Sequence, residues 1–132
     1  LGVTESVKVS FSNKASIASV TSSASNASLH NVILGAPVQN GETSILPLRI
    51  VLMENGALSP NKVMSLSAKS IDQPQSSVTL DSTEVVTGIE GGVDLHLSYP
   101  SALSGNDEVM ITAEINKGND GHNTVETYLD LP

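Results

Sequence analysis

Apolar residues recur at every second position along much of this chain, and a period of two permits little besides strands with one buried face. Val93, Leu95, Leu97 and Tyr99 alternate with Asp94, His96 and Ser98. Val109, Ile111, Ala113 and Ile115 alternate with Met110, Thr112 and Glu114. Weaker alternation marks Met64, Leu66 and Ala68, then Val78 and Leu80, then Val125, Thr127, Leu129 and Leu131. The odd-numbered residues of 93–99 and 109–115 are therefore expected in the core. A slip of one residue would turn Asp94 or Glu114 inward.

Two runs read differently. The stretch from Ile45 to Met53 is apolar on both parities except at Pro47 and Arg49. Its length and β-branched content predict a strand buried on both faces rather than a short helix. Pro47 has no amide donor, so it is expected at a strand start, an edge or a bulge. Leu29 to Leu34 is a shorter candidate of the same kind, and Ser16 to Ser28 reads as strand followed by loop. Asn40-Gly41, Asn55-Gly56, Ser59-Pro60, Gly91-Gly92, Gly105-Asn106 and Gly118-Asn119-Asp120-Gly121 supply turn residues between the runs. Many short strands at such intervals predict an all-β, antiparallel β-sandwich. The 132 residues fit one domain spanning 1–132, large enough to hold a core without metal or disulfide.

Composition narrows the function. The net charge is −8 with only six Lys and Arg, and these are dispersed. Without a basic cluster to neutralise phosphates, nucleic acid is not an expected partner, and an anionic membrane would repel the chain. No apolar run approaches the length needed to span a bilayer, so no direct membrane insertion is expected. The chain starts at Leu1 with no basic region followed by a hydrophobic stretch, which fits a processed or trimmed chain. Phe11, Tyr99 and Tyr128 are the aromatics and Trp is absent, thin material for stacking sugars or bases.

No constellation names a reaction. No Ser lies in a Gly-x-Ser-x-Gly elbow, no Gly-rich phosphate loop is present, and no catalytic residue or cofactor is assigned. The expectation is a protein that is not an enzyme. Asp94 and His96 lie two apart on the polar face of one strand and would need further ligands from elsewhere to hold a metal. Asn119-Asp120 and Asn106-Asp107 offer oxygen donors near glycines, yet neither carries the acidic alternation of a calcium loop. Both read as hairpin turns, and no metal site is assigned.

The first twelve residues carry the functional reading. Val3, Val7, Val9 and Phe11 share one parity, broken by Glu5, while Thr4, Ser6, Lys8 and Ser10 share the other. Such a segment is either the edge strand of its own sandwich or a strand donated to a neighbour's sheet, with main-chain bonds for affinity and alternate side chains for pockets. Val3-Thr4-Glu5-Ser6-Val7-Lys8-Val9-Ser10-Phe11-Ser12 resembles the mature N-terminus of the alpha-class chaperone–usher pilins, the colonisation-factor major subunits of enterotoxigenic bacteria. The resemblance implies an immunoglobulin-like sandwich completed by a neighbouring subunit's strand, and donor positions at Val3, Glu5, Val7, Val9 and Phe11. It further implies an extracellular homopolymer that supports adhesion, built with a periplasmic chaperone and an outer-membrane usher. The C-terminal Thr127-Tyr128-Leu129-Asp130-Leu131-Pro132 departs from that family's aromatic- or Gly-bearing last strand. The alternative expectation is a monomeric ligand-binding module of a cell-surface or phage appendage protein.

Overall fold

A computed structural model describes residues 27–103, 105, 107–115 and 124–132. Strands β1 (Ala27–Ile33), β2 (Val38–Asn40), β3 (Thr43–Glu54), β4 (Ala57–Leu58), β6 (Thr79–Leu80) and β8 (Gly92–Pro100) form one sheet. Strands β5 (Val63–Ser70), β7 (Glu84–Val86), β9 (Glu108–Ile115) and β10 (Thr124–Asp130) form the other. The first sheet is ordered β1-β3-β8-β6, with β2 and β4 also on β3, and the second β10-β9-β5-β7. Every pairing among the described residues is antiparallel. The chain is thus an all-β, two-sheet sandwich, as the period of two requires.

The core lies between the sheets and is almost wholly aliphatic. Leu46, Leu48, Ile50 and Leu52 of β3 face Met64, Leu66, Val109, Ile111, Ala113 and Ile115 of the second sheet as one buried cluster. Leu95, Leu97 and Tyr99 are buried while Asp94 and His96 are exposed, so the expected registers of β8 and β9 are the ones adopted. Val125, Thr127, Leu129 and Leu131 are likewise inward.

The run from Ile45 to Met53 departs from expectation. Its even-numbered row is buried, but Ile45, Pro47, Val51 and Met53 on the outer row are half-buried and Arg49 is exposed. Among the described residues only one sheet covers β3, and only the face toward it is fully buried. Pro47 also lies inside the strand rather than at its start. The ladder explains how the fold tolerates it. Leu34 N–H donates to the Pro47 carbonyl at 2.9 Å, so Pro47 turns its backbone toward β1 and away from β8. There the pairing is interrupted between Ile33 and Val38, and β2 resumes in a different register. The missing donor faces a break in the neighbouring strand, as a bulge would allow. The strand-then-loop reading of Ser16 to Ser28 also fails at its end, because Ala27 and Ser28 open β1; the rest of that stretch lies outside the described residues.

One hairpin and one crossover turn show local chemistry setting register. Asn55 (φ 56°) and Gly56 (φ 79°) join β3 to β4, with both residues in the left-handed region that a two-residue type I′ loop demands. Gly91 (φ 78°) is the tightest approach: an added Cβ would stand 2.8 Å from Ser59 N and 2.9 Å from Leu52 O. The Gly91 carbonyl also accepts from Leu52 N–H at 2.9 Å, extending the β3–β8 ladder. Gly91→Ala is therefore expected to cost about 2–5 kcal/mol, the sum of backbone strain and steric overlap. Gly41→Ala, with φ 67° and nothing within 4 Å, should cost only about 1–2 kcal/mol. Equal losses for the two variants in urea unfolding would contradict the close-approach account.

Candidate functional site

The outer faces of the two sheets have different chemistry. On the second sheet, Glu84, Glu108, Glu114, Glu126 and Asp130 lie on the outward rows, with Lys69 the single lysine there among the described residues. Asp130 stands directly across from Glu108, a like-charge pair that weakens the ladder. On the first sheet, Val32, Ile45, Pro47, Val51 and Met53 occupy the outward rows, flanked by the exposed Leu34, Val38 and Leu58.

The polar side chains on the first sheet's outer face are committed locally. Asp94 accepts from Arg49 through two bonds, Nε to Oδ1 at 2.6 Å and Nη2 to Oδ2 at 3.1 Å. Hydrogen bonding to the guanidinium holds the Asp94 carboxyl below its usual range. His96 turns to Asp81 instead, with Nδ1 3.0 Å from Oδ2 and its backbone N–H 3.0 Å from Oδ1. Burial raises the Asp81 pKa, yet these bonds and the His96 charge outweigh it and the net shift is downward. Asp94 and His96 thus share a face but serve different partners. Among the described residues no group of three or more His, Asp or Glu is placed to hold a metal. Asp107 is described, whereas Asn106, Asn119 and Asp120 lie outside the described residues.

The edges of the sheets are more informative than the faces. Leu131 N–H donates to the Asp107 carbonyl at 2.9 Å, which fixes the phase of the β9–β10 ladder. Bonded positions recur every second residue in an antiparallel pair, so Val125, Thr127 and Leu129 turn their backbone to β9. Thr124, Glu126, Tyr128 and Asp130 turn theirs away from it. By the same reasoning from Leu34 and Pro47, β1 directs the backbone of Ala27, Leu29, Asn31 and Ile33 away from β3. Among the described residues, strands β1 and β10 are the terminal strands of their sheets, and they lie on the same side of the sandwich, in mutual contact.

One buried side chain joins these two edges. Asn31, on the inward row of β1, donates from Nδ2 to Thr127 Oγ1 at 2.7 Å and to the Tyr128 carbonyl at 3.0 Å. Thr127 is fully buried and Asn31 nearly so. A second buried polar residue, Thr87, pins the loop after β4: its Oγ1 donates to the Ser59 carbonyl at 2.7 Å and accepts from Lys62 N–H at 2.9 Å. Sequence reading passed over Asn31 and Thr87. The available signal was a polar residue inside an apolar run, at the parity of buried neighbours, as Asn31 is with Ala27 and Leu29.

The donor positions Val3, Glu5, Val7, Val9 and Phe11 lie outside the described residues. Among the described residues no helix is long and apolar enough to cross a membrane. No family model matches the chain, and no curated protein matches it. A solved structure similar to it is that of a conjugative transposon lipoprotein from Bacteroides eggerthii DSM 20697, at TM-score 0.43 and 14% identity, covering 78% of this chain and 95% of that one.

His30 gives the outer face of the first sheet a pH dependence. It is half-buried, with Nε2 2.9 Å from Ser28 Oγ, and burial lowers its pKa from the usual 6.5. The folded chain therefore binds this proton less readily than the unfolded chain does. The stability linked to His30 is complete above pH 6.5 and is lost as the pH falls from 6.5 through the lower, folded value. His30→Gln should flatten the fall in melting temperature between pH 7 and pH 5, and an unchanged slope would contradict the assignment.

Proposed function

We propose that this chain is a structural subunit of an extracellular filament, joined to its neighbours by donation of residues 1–12 to the edge shared by β1 and β10. The observation that carries the reading is the backbone direction at that edge. Glu126, Tyr128 and Asp130 on one strand, and Leu29, Asn31 and Ile33 on the other, aim their main-chain groups outward on the same side of the sandwich. An extended segment is the complement that backbone groups so directed can pair with, the Tyr128 carbonyl being already engaged by Asn31.

Strand order supports the immunoglobulin-like assignment within this proposal. Lettered in chain order as β1, β3, β5, β6, β8, β9 and β10, with the short β2, β4 and β7 as additions, the sheets read A-B-E-D and G-F-C, the constant-type order. The inward row of β10 is already buried against the chain's own core. A donated strand therefore extends an edge and wedges between β1 and β10, rather than filling an empty groove. Strand β1, which begins at Ala27, lies on that same side. Chaperone and usher partners belong to this proposal through the resemblance of Val3 to Ser12. The second reading, a ligand-binding module, draws on the apolar outer face with Leu34, Val38 and Leu58 exposed.

Deleting residues 1–12 should abolish polymers in electron micrographs and size-exclusion profiles while leaving a folded monomer. Val7→Asp or Val9→Asp should weaken assembly sharply, because each places a carboxylate where an apolar side chain contributes about 1.5–3 kcal/mol. Thr4→Asp and Ser10→Asp lie on the other parity and should matter little. A full-length chain that is as monomeric as the deletion would overturn the filament reading in favour of a monomeric module.

A further inference from the structure

Asn31 occupies a position where an aliphatic residue would serve the core better. It lies on the inward row of β1 beside the fully buried Leu29, and its register partner is Ile50, also fully buried. A buried amide is costly unless it is bonded. Here it is bonded, but across to the other sheet rather than within its own. Nδ2 reaches Thr127 Oγ1 at 2.7 Å and the Tyr128 carbonyl at 3.0 Å.

The choice of the second acceptor is the informative point. The Tyr128 carbonyl is one of the groups that β10 directs away from β9, and so one that an added strand's N–H would use. Asn31 occupies that acceptor with a side chain. It also ties β1 to β10 at the place where an incoming strand would have to separate them. Natural sheets guard exposed edges with polar or charged residues and covering contacts, because an open ladder templates uncontrolled pairing. We propose that Asn31 is a latch: it holds the β1–β10 seam shut in the free subunit and must release the Tyr128 carbonyl before a donated strand can pair there. This rests on the strand-donation reading and adds to it the residue that limits how readily the edge is entered.

The latch selects among incoming segments. A chance edge contact offers few hydrogen bonds and no inward apolar row, and cannot offset both bonds of the Asn31 amide. A segment with the alternation of Val7, Val9 and Phe11 replaces the lost bond to Tyr128 with its own backbone N–H and buries apolar side chains besides. Thr127 positions the amide by accepting its other bond.

The test uses the full chain. Asn31→Leu removes the donor while keeping the branched, four-heavy-atom shape of the side chain, and Thr127→Val removes the acceptor that steadies the amide. Each should polymerise at least tenfold faster than wild type in light scattering from matched monomer concentrations, with Asn31→Leu the faster. Should Asn31→Leu fail to give a cooperative unfolding transition, Thr127→Val carries the comparison alone. The acceleration should vanish when Val7→Asp is added, since it must run through the donated strand. Wild type and both variants polymerising at the same rate would overturn the latch and leave strand donation standing. Acceleration that survives Val7→Asp is unselective edge association and also overturns it. No assembly by wild type or by any variant would remove strand donation itself, and the latch with it.

Discussion

Burial of one aliphatic row along β3 is the constraint on which the remaining structure depends. Leu46, Leu48, Ile50 and Leu52 are all fully buried, and at about 1.5–3 kcal/mol each they anchor a core whose described aromatic content is Tyr99 alone. With so few large rings to bury, the fold relies on rows rather than on a single plug. The row sets register on both sides at once, because β1, β2, β4 and β8 all pair with β3. A one-residue slip would carry Arg49 into the core and turn four aliphatic side chains to solvent. The Arg49–Asp94 pair marks the register that results, but both groups are exposed and their contribution to stability is small.

The parts of the fold legible in the sequence are those where one physical rule acts alone. In β8 and β9 the apolar and polar rows separate cleanly, and burial follows parity without exception in β9. The Asn55-Gly56 hairpin was legible for a similar reason, since only a left-handed pair closes that loop. Where two rules compete, sequence reading faltered. Both rows of β3 are apolar, so parity could not tell the inner face from the outer. Pro47 satisfies its lack of a donor through a break in β1 that no local pattern announces. The short strands β2, β4 and β7 exist because longer neighbours offer them an edge, which is tertiary information. The Asn31 bridge spans 96 positions in sequence, and only the closing of the two sheets brings Asn31 to Thr127.

The distribution of charge bears on how copies of this chain can meet. Among the described residues, five carboxylates on the outward rows of the second sheet against the one lysine Lys69 make face-to-face contact between two such sheets unfavourable. The first sheet's outer face is nearly neutral by comparison, its Arg49 matched by Asp94. Edge pairing avoids the problem, since it works through backbone groups and places side chains of either row beside, rather than against, the acidic face. Lys8 lies on the polar row of the proposed donor. In a strand added beside β10 that row joins the face bearing Glu126 and Asp130, where a lysine is the favourable choice.

The central claim is that the outward backbone groups of β10 acquire partners when subunits assemble. Amide hydrogen exchange read at Glu126, Tyr128 and Asp130 tests it most directly, with Thr127 and Leu129, which face β9, as internal references. The account predicts that the three outward amides exchange quickly in the chain lacking residues 1–12 and become protected in the full-length polymer, while Thr127 and Leu129 are protected in both. Equal exchange of the outward amides in the two proteins, with polymers present, would contradict it.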